Sequence, residues 1–380
     1  MRSWVRAASA VVAVGWGANQ FSPLLIVYRD QDHLPSALVT AVFGAYVVGL
    51  LPALMVGARL SARLGRRGVM RPVLVLSALA TVILIFAGES TWALAAGRLV
   101  AGVASGAAFG PGTAWIKELS EDGAGARRAA GALSAGFGGG PLVAGALAQW
   151  LPAPAVVPYL AHLVVVAVAA VLAWHAPETS PPKTGPVRLR KALRHPDFLR
   201  RVVPSAPLVF GAATTSFAVL PSVLPVPGAP IASSGAIAGL TLGSGLLVQP
   251  LARRLERRRA GSVLTYGLVL AGLGFLLSAL SVTLTAVILL APTAIVFGSG
   301  YGMLLVGGLS RVEALAEAEE LAGVTAVFYC LAYVGFAAPY LFTAVTSVAP
   351  AALVFVLAAG VVAVLVTVTA SSNRRVGYYE

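Results

Sequence analysis

Polar and charged residues fall in short clusters along this chain, and long apolar runs lie between them. A helix rises 1.5 Å per residue, so crossing a hydrocarbon core of roughly 30 Å takes about 20 apolar residues. The pattern predicts twelve such helices, over 6–28, 36–57, 72–88, 92–116, 129–150, 154–176, 201–227, 231–251, 261–280, 284–309, 321–345 and 348–370. The third is short, and Pro-rich joins at 151–154 and 227–230 leave little room between neighbours. The basic start, MRSWVRAASAVVAV, runs on into apolar sequence without a convincing cleavage site, which fits an uncleaved first span.

Composition turns these runs into membrane spans. The 380 residues are 58% hydrophobic and 11% charged, against about 25% charged in ordinary soluble chains. The net charge of +13 does not indicate nucleic-acid binding, because the basic residues sit in short loops between apolar runs. Placing the N-terminus inside puts all but Arg29 and Arg98 of the 27 lysines and arginines in cytoplasmic segments. Both termini are therefore expected in the cytoplasm, with the protein integral to the cell membrane. Cys330 is the only cysteine, and no metal-ligand spacing, cofactor motif or catalytic set can be assembled, so neither an enzyme nor a cofactor is expected.

The longest polar interval, PETSPPKTGPVRLRKALRHPDF, divides the chain. It predicts a bundle of six helices over 1–176, a cytoplasmic linker with a short surface helix over 177–200, a second bundle over 201–370 and a tail over 371–380. Leu60-Ser-Ala-Arg-Leu-Gly-Arg-Arg67 is echoed by Leu251-Ala-Arg-Arg-Leu-Glu-Arg-Arg258, each after the second span of its half, with five of eight positions identical. Position and sequence together point to an internal duplication. The expected fold is all-α, two pseudo-symmetric bundles rocking about a central cavity.

Three motifs carry a resemblance. Ala58-Arg-Leu-Ser-Ala-Arg-Leu-Gly-Arg-Arg67 resembles the loop 2–3 motif G-x-L-A-D-R-x-G-R-R of the major facilitator superfamily through Leu60, Arg63, Gly65, Arg66 and Arg67. The motif's aspartate falls on Ala62, so any latch between the halves lacks its usual carboxylate. Arg98-Leu-Val-Ala-Gly102-Val-Ala-Ser-Gly106 is similar to the family's R-x-x-x-G motif, and its four-residue glycine spacing makes a smooth face for another helix. Arg98 lies roughly 9 Å inside Trp92 along the helix. It either faces a cavity or partner, where the family associates such an arginine with proton coupling, or snorkels to the headgroups. Gly136-Phe-Gly-Gly-Gly140-Pro141-Leu-Val-Ala144-Gly145 resembles the family's antiporter motif G-x-x-x-G-P-x-x-G-G, common among drug exporters. Gly235, Gly239 and Gly243 offer a matching face in span 8, so spans 5 and 8 are expected to meet and slide there.

The resemblance places spans 1, 4, 7 and 10 around the cavity. That makes Asn19, Gln20, Arg98, Thr214, Phe217 and Tyr301 candidates for substrate contact or coupling, with Tyr46 and Tyr333 as aromatic walls. His162, in a span usually peripheral, has a structural reading. None of the fourteen acids falls deep inside a span, which disfavours lipophilic cations and leaves neutral or anionic amphiphiles. If protons are coupled, Asp30, Asp32, His33 and Glu89 at the outer mouth are the candidates. The partners implied are a small-molecule substrate, protons and the lipid bilayer, with the protein a monomer. The expected function is proton-linked export by alternating access. The alternatives are an uptake permease for a sugar or similar metabolite and a transport-dead membrane receptor.

Overall fold

The computed structural model describes residues 2–30, 33–120, 123–179, 192–317 and 320–376. Within these residues the chain forms only helices and turns. Among the described residues, eleven stretches are long and apolar enough to cross a membrane. The first, α1 (Ser3–Asp30), breaks at Gln20 into Ser3–Asn19 and Phe21–Asp30. Pro23 explains the break: it has no N–H for the carbonyl of Asn19 one turn back, and the Ser22 hydroxyl donates to that carbonyl instead at 2.9 Å.

Ser36–Ile85 differs from the expectation of two spans separated by a polar loop over 58–71. Its backbone is helical in conformation apart from Gly65, whose φ of 78° and ψ of 174° lie outside helical space. Ala, Arg and Leu are good helix formers, so the basic segment extends both neighbours rather than looping out. The limbs are called α2 (36–64) and α3 (66–85). The next spans are α4 (Thr91–Glu118), α5 (Gly125–Trp150) and α6 (Val157–Trp174).

The second half holds α7 (Phe198–Val223), α8 (Pro230–Arg258), α9 (Ser262–Thr283), α10 (Val287–Leu315), α11 (Gly323–Thr346) and α12 (Ala351–Ala370). Two π-helical stretches, Phe198–Val202 and Thr215–Val219, loosen α7, and a 3-10 turn, Val334–Ala337, interrupts α11. Helix α8 continues through the arginines to Arg258 instead of ending at 251. Half of the expected linker (180–191) and the end of the tail (377–380) lie outside the described residues.

The chain forms two compact units, one of Met1–Thr184 with Val226–Gly239, the other of Gly185–Pro225 with Leu240–Glu380. In the first, α1 is the central element: 89% of its apolar window is buried, against 33% for α6. Its small residues allow this. Gly15 and Gly136 bring α1 and α5 into backbone contact, and Gly17 leaves room for the His162 ring. In the second unit α7 is the most enclosed helix, at 78%, and α12 the least, at 17%. There α10 packs through Gly298 and Gly302 onto the backbone of α8, and through Gly307 onto α9.

Candidate functional site

Arg98 on α4 is fully buried in the first unit. It does not snorkel. One Nη donates to the Ala18 carbonyl at 3.0 Å, beside the break in α1, and the other to the Phe43 carbonyl of α2 at 3.3 Å. The guanidinium carbon lies 4.7 Å from the ring centres of Phe21 and Tyr46 and 5.4 Å from that of Phe43. Among the described residues it forms no ion pair. A desolvated guanidinium is costly, and here two carbonyls and three aromatic faces offset that cost. Beneath Phe21, which stacks on Tyr28 at 5.2 Å, the Tyr28 and Tyr159 hydroxyls share a 2.8 Å hydrogen bond.

The other candidates in this unit divide. Asn19 is buried, yet Arg98 reaches the neighbouring backbone carbonyl and not the Asn19 side chain. Gln20 is fully buried, and among the described residues neither amide atom has a hydrogen-bond partner. One turn earlier the Trp16 indole nitrogen is also buried, with no partner among the described residues. His162 is a structural tie: Nε2 is 3.0 Å from the Ala13 carbonyl oxygen and Nδ1 is 2.7 Å from the Thr81 hydroxyl, joining α1, α3 and α6. Asp30 pairs with adjacent Arg29 at 2.6 Å, His33 and Glu89 are exposed, and Asp32 lies outside the described residues.

In the second unit Tyr301 and Tyr333 meet through Phe210 of α7. Phe210 stacks on Tyr333 at 4.4 Å and tilts against Tyr301 at 5.7 Å and Phe336 at 5.4 Å. Gly245 of α8 makes room for the Tyr301 ring. The Thr214 hydroxyl donates to the Gly335 carbonyl at 3.2 Å, at the 3-10 turn of α11. Phe217 is buried within the π-helical stretch of α7, where neighbouring Ser216 shares a 2.8 Å hydrogen bond with Thr241.

The glycine motifs serve different neighbours. Gly102 and Gly106 of α4 lie against α2, where a Cβ would strike the carbonyls of Tyr46 and Leu50. Gly136 and Gly140 do not face α8: a Cβ at Gly136 would lie 2.5 Å from the Val12 carbonyl oxygen, and one at Gly140 2.8 Å from Trp16 Cα, both on α1. Further along, α5 does meet α8. A Cβ at Gly145 would lie 2.8 Å from the Ile231 carbonyl oxygen and 3.0 Å from Gly235 Cα, and one at Gly235 would strike the Pro141 carbonyl. A Cβ at Gly239 would sit at ordinary contact distance from Gly138, and one at Gly243 would meet nothing within 4 Å among the described residues. Helix α5 therefore has two glycine faces, one for α1 and one for the start of α8. Gln149 closes the second by accepting from the backbone of Ile231 at 2.9 Å.

The Ala58–Arg67 segment does have carboxylates, supplied from elsewhere. Arg66 forms a two-pronged pair with Glu118 at the end of α4, at 2.5 and 3.1 Å, and donates to Ser61 at 2.8 Å. Glu178, after α6, caps the start of α3 by accepting from the backbone of Arg66 at 2.8 Å and Arg67 at 3.0 Å. Thr179 bonds Glu118, and the Trp115 indole donates to the Pro177 carbonyl at 2.9 Å. Arg67 and Arg71 reach the Trp174 carbonyl, while Arg63 is exposed. Sequence reading missed Glu118 and Glu178 as partners, and Phe21 and Phe43 as walls around Arg98. Phe43 did carry a signal, lying three residues before Tyr46 on the same helix face.

The model of the Major Facilitator Superfamily matches residues 7–339. No curated protein sequence matches the chain significantly. Among solved structures, the POT family transporter PepTSo is similar with a TM-score of 0.78 at 13% identity, covering 100% of this chain and 99% of its own. An auto-inhibited POT family peptide transporter gives 0.78 at 12%, with 99% and 97% covered. The nucleoside transporter NupG gives 0.78 at 13%, with 97% and 98% covered. At such identities these likenesses establish the fold alone. The family match extends from the first turns of α1 into α11, and with it the chain belongs to the Major Facilitator Superfamily, a transporter and not an enzyme.

Proposed function

We propose that this protein is a twelve-span secondary transporter working by alternating access, and that it exports small hydrophobic compounds, neutral or anionic, in exchange for protons. Counting α2 and α3 as separate crossings gives the twelve. The six-helix bundles are then 1–176 and 201–370, joined by 177–200 and followed by a tail over 371–380. The bias of lysine and arginine places both termini in the cytoplasm of a monomer in the cell membrane.

The observation that carries the solute class is Arg98, a buried cation that no carboxylate pairs among the described residues. Its field makes the interior of the first unit unfavourable for a cationic solute and favourable for a neutral or anionic one. The outward direction is supported by the Gly136-to-Gly145 motif, whose two glycine faces lie against α1 and the start of α8. Solved structures of the same fold are named as peptide and nucleoside transporters, which fits a small organic solute. Proton uptake is assigned to the mouth groups Asp30, Asp32, His33 and Glu89.

Purified protein is screened for thermal stabilisation by neutral, anionic and cationic amphiphiles and by sugars, at pH 6 and pH 8. A ligand at 100 times its dissociation constant should stabilise the binding state by about 2.7 kcal/mol. Hits are then tested for flux in vesicles under an imposed pH gradient. The reading requires neutral or anionic hits whose flux follows the gradient. Selective stabilisation by sugars with gradient-independent flux would replace it with an uptake permease, and preference for cations would refute the role given to Arg98.

A further inference from the structure

The two copies of the arginine-rich repeat are used differently. In the first, Gly65 occupies the position that Glu256 holds in the second. Arg66 pairs with Glu118, Arg67 and, beyond the copy, Arg71 donate to the Trp174 carbonyl, and Arg63 alone of the copy's arginines is exposed. In the second, Glu256 folds onto the backbone, accepting from Gly261 at 2.5 Å and Val263 at 3.3 Å, and so caps the start of α9. The nearby carboxylate of Asp197 is taken by Arg201 at 3.3 Å and Arg311 at 3.4 Å. Arg253, Arg254, Arg257, Arg258 and Arg259 are all exposed, and among the described residues none of them forms an ion pair. Among the described residues their one side-chain hydrogen bond is from Arg253 to Gln249 at 3.3 Å.

This cationic group ends an apolar span, and the two parts line up. Leu247, Leu251, Arg254 and Arg258 follow one another at intervals of four, three and four residues, which places them on one face of α8. Leu247 is 79% and Leu251 51% exposed. The face is therefore apolar over its first turn and cationic over its next two, the order in which an acyl chain meets a phosphate. We propose that this end of α8 is a binding site for an anionic phospholipid, its phosphate held by Arg254 and Arg258 and its chain lying over Leu247 and Leu251. The inference rests on the membrane placement of α8 and not on the direction or solute of transport.

The test uses the full chain, delipidated in detergent and offered phosphatidylglycerol against phosphatidylcholine of the same chains, with bound lipid counted by native mass spectrometry. From the attraction of one cation to an anionic bilayer surface, Arg254→Gln or Arg258→Gln should lower the phosphatidylglycerol preference roughly fivefold, and both together about thirtyfold. Arg254→Lys/Arg258→Lys keeps the charge and should keep most of the preference. Where the double glutamine variant does not purify as a monodisperse protein, the single variants decide. Equal retention of the two lipids, an unchanged preference in the glutamine variants, or displacement by millimolar inorganic phosphate would each overturn the proposal, the last by showing a site for free anions.

Discussion

Gly65 joins α2 to α3 with φ of 78° and ψ of 174°, a backbone setting essentially reserved for glycine, and forcing another residue into it costs about 1–3 kcal/mol. Gly65→Ala adds a second penalty. The new Cβ would lie 2.6 Å from a Glu178 carboxylate oxygen and 2.8 Å from its Cδ, so the carboxylate must leave. It then gives up the backbone groups of Arg66 and Arg67 that it caps. Glu178 is exposed, which keeps the cap near the lower part of its range, about 1 kcal/mol. The substitution should therefore cost roughly 2–4 kcal/mol in total. Reversible unfolding in mixed detergent, followed by tryptophan fluorescence, measures it. Gly139→Ala is the control: nothing lies within 4 Å of its Cβ position, and in mid-helix the change should be neutral or stabilising by up to about 1 kcal/mol. A double-mutant cycle separates the two penalties. Glu178→Ala alone removes the cap, so Gly65→Ala/Glu178→Ala should cost about 1 kcal/mol less than the sum of the single variants. Strict additivity, or a cost for Gly65→Ala below about 1 kcal/mol, would refute the account of Gly65 as both hinge and room for the cap.

Two further substitutions probe the interior of the first unit. Gln20→Leu removes a fully buried amide with no partner among the described residues, so the ligand-free protein should become more stable by about 1 kcal/mol in the same unfolding assay; a loss of stability would mean that the amide is satisfied by bound water. Arg98→Lys keeps the charge but loses the fork that spans the Ala18 and Phe43 carbonyls. It should yield folded protein with at least tenfold slower gradient-driven flux in vesicles, and unchanged flux would take Arg98 out of the transport cycle.

The spans were legible because a bilayer imposes a coarse requirement, about 20 apolar residues, that any window of sequence reveals. The break in α1 was also within reach, since Pro23 deprives Asn19 of its partner one turn away. What stayed hidden depends on distant packing. Glu118 and Glu178 reach Arg66 across 52 and 112 residues of chain, and nothing near Ala62 announces substitutes for a missing acid. Glycine spacing identifies a smooth face without naming the helix that lies on it, which is why Gly136 and Gly140 turn toward α1 while Pro141 and Gly145 meet Gly235. The helical character of 58–71 is hidden for a different reason: its charge density suggests a loop, although arginine and leucine propagate a helix well. The π-helical stretches of α7 leave no mark in the pattern of apolar positions.

The membership of Val226–Gly239 in the first unit has a consequence for biosynthesis. The ribosome finishes α6 well before it makes the segment that covers the Pro141 and Gly145 face of α5 and occupies the Gln149 amide. At about 5–20 residues per second, translating from Thr184 to Gly239 takes on the order of several seconds. During that interval α5 carries a backbone-smooth groove and a hydrogen-bonding side chain with no occupant from this unit. Completion of the first unit therefore waits on the chain's second half, and a nascent chain halted at residue 184 lacks a segment that the finished unit contains.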